Sequence, residues 1–224
     1  MIVLVGSEKG GVGKSTIAAH TAVRLAMTGK PTILIDSDPQ GTSWAWAQSR
    51  KHYKPDAPKI DTEKMAGDIR PGIKDLASIY GHIIVDCGGA DSAALRSGML
   101  IAHRLIIPSK VARRDLETLK HVSTLVKQAN EKRAEQKMKP LISRVVFNQT
   151  RALPNFWTRI DGAREAVESL GLEVCKYPIV ERVSYDDTQY QGGTVFDDKA
   201  DPKAMAEMES VLKALLRKDK IESE

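Results

Sequence analysis

Short apolar runs separated by longer amphipathic stretches set the pattern of this chain. Residues 2–5 (Ile-Val-Leu-Val) are uninterrupted apolar positions that stop at Gly6, the length of a strand buried on both faces. From residue 14 to 27 the residues are good helix formers, with Ile17, Ala18, Ala22, Leu25 and Ala26 marking one face, and Gly29 ends the stretch. Residues 32–35 read as the next strand and complete a strand–loop–helix–strand unit. Further strands are predicted at 83–85, 105–107, 144–147 and 172–177, and helices at about 69–80, 93–102, 115–135 and 157–170. A last helix near 202–218 sets Met205, Met208, Leu212 and Leu215 at helical spacing, a stripe read as packing on the sheet. Residues 51–58 are loop-like but too short to act as a linker between domains, and no repeat or low-complexity linker interrupts the pattern. Strands alternating with helices predict an α/β fold: one domain over residues 1–224, with a mostly parallel central sheet flanked by helices.

Composition changes this picture little. Hydrophobic residues make up 42% and charged residues 28%, a folded balance rather than a disordered or membrane one. The net charge of +5 favours an anionic partner, a need that a nucleotide alone would meet. Cys87 and Cys175 stand far apart without CxxC spacing, so two reduced thiols are expected rather than a disulfide framework or a metal site. The opening apolar run is too short for a signal peptide, and no run approaches the roughly 20 apolar residues of a membrane span, so a cytoplasmic setting is expected.

The chemistry concentrates after the first strand, in Gly6-Ser-Glu-Lys-Gly-Gly-Val-Gly-Lys-Ser-Thr16. Glycines let the backbone curl so that successive N–H groups face phosphate oxygens, and the following helix turns its positive dipole end to the same anion. The expected nucleotide cradle is Lys9, Gly10, Gly11, Val12, Gly13, Lys14, Ser15 and Thr16. Lys14 would bridge the β- and γ-phosphates, the Ser15 hydroxyl would ligate Mg²⁺, and Thr16 would support the loop or touch the α-phosphate. One lysine suffices for such a loop, and this one has a second. A flexible ammonium at Lys9 is placed to reach nucleotide held by another subunit.

Two strands end in carboxylates. The second leads into Ile35-Asp36-Ser37-Asp38-Pro39-Gln40-Gly41, at the strand end where open α/β sheets bind ligands. Asp38 can hold Mg²⁺ or orient an attacking water, although Asp-Pro-Gln-Gly is equally good turn chemistry. The run His82-Ile-Ile-Val-Asp86 has the Walker B shape, with Asp86 toward Mg²⁺. Asn148, closing a later strand, is either a loop amide or a reader of a base edge.

Lys9 to Thr16 resembles the deviant Walker A motif of the ParA/MinD family of dimerising P-loop ATPases, and the Asp36–Gly41 segment resembles that family's DxDPQG. The resemblance runs over nearly the whole chain, with residues 182–196 similar to the C-terminal segment of small ParF-type ParA proteins. It implies ATP and Mg²⁺ as cofactors, and Lys9, Lys14 and Asp38 as catalytic groups. Ser15, Asp38 and Asp86 would surround the metal, and Asn148 the adenine. It also implies an ATP-dependent sandwich homodimer, non-specific DNA binding through basic surfaces, stimulation by a ParB-like centromere-binding or cargo adaptor, and nucleoid association. Basic residues cluster between Arg104 and Arg144 and at Lys213, Arg217, Lys218 and Lys220, most of them expected on solvated helix faces. Where many members carry Thr-Pro-Pro, this chain has Cys87-Gly88-Gly89-Ala90-Asp91. A MinD-like membrane switch and a cargo-positioning ATPase for a protein organelle are the alternatives; the core reading of the last helix argues against the membrane.

Overall fold

In a computed structural model of the chain, seven strands lie side by side in the order β3-β2-β4-β1-β5-β6-β7. They are β1 (Ile2–Val5), β2 (Thr32–Ser37), β3 (Asp61–Lys64), β4 (His82–Cys87), β5 (Arg104–Ser109), β6 (Ile142–Phe147) and β7 (Glu173–Val174). Every pairing is parallel, where a mostly parallel sheet was expected. The structure describes residues 1–89, 91–197 and 201–217; Lys218 and Lys220 lie outside them.

Successive side chains on a strand point to opposite faces, and the core divides accordingly. Leu4, Ile33, Ile35, Ile83, Val85, Leu105, Ile107, Val145 and Phe147 face one layer. Val3, Val5, Leu34, Ile84, Ile106 and Val146 face the other. The first layer holds the helices α4 (Ala93–Met99), α5 (Arg113–Glu135) and α6 (Pro154–Glu168), together with Ile73 of α3 (Arg70–Leu76). The second holds α1 (Lys14–Ala26), α2 (Thr42–Tyr53), α7 (Val183–Gln189) and α8 (Pro202–Leu216). Met208, Leu212 and Leu215 of α8 are buried there, as the stripe predicts, and Met205 is partly exposed. Among the described residues no helix is long and apolar enough to cross a membrane.

Three elements differ from the pattern. Residues 51–53 belong to α2 rather than to a loop, and β3 follows it as an all-polar edge strand, Asp-Thr-Glu-Lys. The expected strand at 172–177 shortens to Glu173–Val174, after which the chain leaves the sheet. Several cations expected on solvated faces are buried ties instead. Arg133 donates to the carbonyls of Met99, Ala102 and Lys139, and Arg144 donates to Leu215 O and pairs with Glu173. Arg104, also buried, donates to the carbonyls of His103 and Arg217.

The segment before α8 is locked onto α1 and α2 by polar contacts inside the second layer. Arg50 binds Asp197 through two 2.8 Å bonds and donates to Gly192 O at 3.0 Å. Burial pushes the Asp197 carboxyl upward, but the Arg50 guanidinium and the Thr194 donors outweigh it and hold the group below its ordinary range. Gly192 adopts φ +67°, and a Cβ there would lie 2.0 Å from Arg50 N, so no larger residue fits. His20, on α1, is fully enclosed: Nδ1 donates to Thr16 O at 2.7 Å and Nε2 accepts the Val195 N–H at 3.3 Å. That pattern is the neutral Nδ1–H tautomer.

Burial lowers His20 from 6.5 to about 4. The unfolded chain therefore binds this proton below about 6.5 while the folded chain refuses it until about 4, and stability falls as pH drops through that window. The expected loss attributable to His20 is about 3 kcal/mol. Urea unfolding of the wild type and His20→Gln at intervals from pH 7 to pH 4 measures it, with a shallower decline expected for the variant.

Candidate nucleotide site

β1 ends at Val5, and Gly6 still donates to Ile106 O at 3.0 Å before the chain turns away into the loop that precedes α1. Gly11 and Gly13 take φ +69° and +86°, a left-handed backbone open to glycine. At Gly13 a second constraint applies, because a Cβ would stand 2.1 Å from Asn148 Nδ2. Asn148, at the end of β6, is buried beneath the loop and donates through that nitrogen to Val12 O at 2.8 Å. Its backbone N–H is bonded to Ser109 O at the end of β5. The amide expected at the base edge thus braces the phosphate loop, and it also lines the cleft described below.

The two lysines of the loop touch. Lys14, buried at the first position of α1, donates its ammonium to Lys9 O at 2.9 Å, and Ser7 Oγ donates to the same oxygen at 3.3 Å. The Lys9 side chain is partly exposed, and Gly10 and Gly11 are exposed.

Asp36 and Asp38 have separate tasks. Asp36, buried on β2, accepts the Asp38 N–H at 2.9 Å and the Trp44 N–H at 2.8 Å, so it sets the turn and the start of α2. Asp38 accepts the Gln40 N–H at 3.0 Å and faces the loop after β4, where a Cβ on Gly88 would stand 3.5 Å from its carboxyl. On the other side of that loop, a Cβ on Gly89 would stand 3.1 Å from the Lys14 ammonium and 3.2 Å from Gly10 N. The loop after β4 therefore passes between Asp38 and the phosphate loop, closely enough at Gly89 that a side chain there would crowd Lys14 and Gly10.

Among the described residues Asp86 is the most deeply placed carboxyl, 0% exposed and level with Asp36 in the β2–β4 pairing. Neither of its oxygens meets a hydrogen-bond donor at good geometry, although the Ser15 and Ser43 hydroxyls are near enough to stabilise its charge. Burial first, opposed by Ser15, then the charge of Asp36, pushes it up to about 7, against the further pull of Ser43 and Lys14. A buried carboxylate without donors beside a serine at a helix start fits a hard divalent cation, which takes oxygen ligands. Ser15 and Asp86 would hold Mg²⁺, which in turn would neutralise phosphate charge. No group of three or more His, Cys, Asp or Glu suited to a metal occurs among the described residues, so phosphate and water would complete the shell.

Beyond Thr16 a narrow cleft is lined by Gly13, Thr16, Asn148, Gln149, Arg182 and Tyr185. Glu207 of α8 braces three of the lining residues, accepting the Val180 N–H at 3.1 Å and the Tyr185 hydroxyl at 2.9 Å and pairing with Arg182. Ser43 and Glu207 carry no sequence signal of their own; each is one polar position on a helix. Residues 182–185, singled out by the ParF-type resemblance alone, do stand beside the phosphate loop.

Residues 3–195 match the CobQ/CobB/MinD/ParA nucleotide binding domain. The chain is 27% identical over 206 residues to protein ParA of Rhizobium radiobacter, covering 92% of this chain and 89% of that one. It is 34% identical over 122 residues, about half of each chain, to the maintenance of carboxysome distribution protein A of Gloeobacter kilaueensis. The ATP complex of Cyanothece McdA superposes with a TM-score of 0.76 at 16% identity, covering 97% of both chains. A phosphate loop with paired lysines, a buried strand-end carboxyl facing its serine, and a profile match over most of the length all agree: the chain belongs to the ParA/MinD family of P-loop nucleotide-binding proteins.

Proposed function

We propose that this chain is an ATP-hydrolysing switch for DNA partition. ATP binding drives a sandwich homodimer, the dimer binds DNA without sequence preference, and a centromere-binding adaptor stimulates hydrolysis and release. The observation that supports it most directly is the convergence of Lys9, Lys14, Asp38 and the Gly88-Gly89 turn around one loop. Lys14 and the loop amides take the phosphates, Ser15 and Asp86 hold Mg²⁺, and Asp38 orients the attacking water. Lys9, with its side chain free to leave the loop, reaches the partner's phosphates. Asn148 steadies the loop and borders the adenine. The similarity to protein ParA along almost the whole chain favours a DNA cargo.

A second reading, a positioning ATPase for a protein organelle, is favoured by the similarity to a carboxysome distribution protein. It shares every step except the adaptor's cargo. In either case the basic surface belongs to exposed residues such as Arg113, Arg114, Lys120 and Lys127, since Arg104, Arg133 and Arg144 are committed inside.

Asp38→Ala is expected to bind Mg²⁺-ATP and accumulate as a DNA-bound dimer, with turnover reduced about a hundredfold or more; phosphate release beside gel-shift titration checks both, and wild-type turnover would sink the assignment. Lys9→Ala is expected to keep ATP affinity but stay monomeric by light scattering with ATP. DNA affinity of the ATP-bound wild type should fall about a hundredfold or more between roughly 50 and 200 mM salt, measured by fluorescence anisotropy on two unrelated duplexes.

A further inference from the structure

The residue before Lys9 is held from outside the phosphate loop. A carboxylate oxygen of Glu8 meets Nδ1 of His121, which lies on α5. The other ring nitrogen, Nε2, faces Asp91 Oδ2 at 3.8 Å, and Asp91 is gripped by the Arg96 guanidinium, Nε at 2.6 Å, from α4. Glu8, His121, Asp91 and Arg96 thus stand in one line of polar contacts. It runs from the phosphate loop, through a helix, to the segment that follows β4.

Isolated surface pairs contribute little, because water screens them and both side chains must be ordered. This line differs in two respects. The Glu8 carboxylate is largely covered, its side chain 17% exposed, while Asp91 and His121 stand at the surface. The bridging ring is also fixed by its helix: Leu119 and Val122, its neighbours on α5, are buried in the core. A rigid element therefore supplies the anchor for Glu8, while Asp91, held by Arg96 of α4, stands near the other ring nitrogen. The two loops that carry Glu8 and Asp91 meet again where Gly89 passes beside Gly10. The Lys9 carbonyl accepts from Ser7 and Lys14, and of the contacts that hold residues 7–9 among the described residues, the one from His121 alone comes from outside the phosphate loop and its lysine.

We propose that His121 is a positioning residue for Lys9. By holding the Glu8 carboxylate from α5, it fixes the backbone from which the Lys9 ammonium reaches across the dimer. The proposal rests on the ATP-driven dimer described under the proposed function. Misplacing a group that reaches the partner's phosphates lowers kcat, through dimer assembly or the transition state, and leaves each protomer's own binding of ATP largely alone. A role confined to fold stability would lower neither selectively.

The test uses the full chain and two readouts. Without nucleotide, amide hydrogen exchange over residues 7–11 should accelerate about tenfold in His121→Ala, and His121→Gln, whose amide can still donate to Glu8, should recover most of the protection. With saturating Mg²⁺-ATP, His121→Ala should lose about tenfold in kcat with KM within about twofold, and Glu8→Gln combined with it should be no worse than either change alone. Thermal melting points should stay together across the set. Unchanged exchange in His121→Ala overturns the proposal. So does faster exchange with wild-type kcat, a Gln variant no better than Ala, or losses that add in the double variant. A wild type that neither dimerises nor turns over with ATP overturns the functional reading instead, and its exchange pattern still decides whether the tether exists.

Discussion

Burying both faces of a parallel sheet leaves the chain one place for chemistry. The strand interiors are continuous apolar residues because helices cover both sides. Polar groups can then gather only where strands end, and in a parallel sheet equivalent ends share an edge. Gly6 after β1, Asp36 and Asp38 at β2, Asp86 at β4, Ser109 at β5 and Asn148 after β6 all stand on that edge. Successive crossovers thereby deliver, within one cleft, groups drawn from most of the length of the sequence.

Electrostatics decides how that edge is arranged. Asp86 and Asp36 face the same way in neighbouring strands, and the chain separates them by task. Asp36 is satisfied by two backbone N–H groups and becomes architecture. Asp86 is left without donors at good geometry and is raised by burial. A carboxyl in that condition is stabilised most by a cation, and its neighbour is a serine at the start of α1, an oxygen ligand, rather than another backbone donor.

Much of this is legible in the chain, and the illegible portions have physical reasons. β1, β2, β4, β5 and β6 announce themselves because burial on both faces demands apolar runs. α2 does not, although its buried positions Ser43, Trp46, Ala47 and Arg50 keep helical spacing, because half of that face is polar. Arg50 is tolerated there only through Asp197, a partner 147 residues away that no local pattern reveals. β3 is an exposed edge strand and carries no hydrophobic signal. The phosphate loop is plain from its glycines and its context, whereas the brace from Asn148 to Val12, and the glycine it imposes at position 13, depend on a contact between β6 and the loop before α1 that only the fold creates.

The contact between Lys14 and the Lys9 carbonyl has a thermodynamic corollary. An ammonium paired with a carbonyl exchanges that partner for phosphate oxygens when nucleotide binds, so the gain is the difference between the two bonds rather than the whole of the second. Discrimination between nucleotides then falls to whatever each ligand offers beyond that exchange. Orthophosphate and short phosphate analogues gain nothing further, and a triphosphate with its metal gains most.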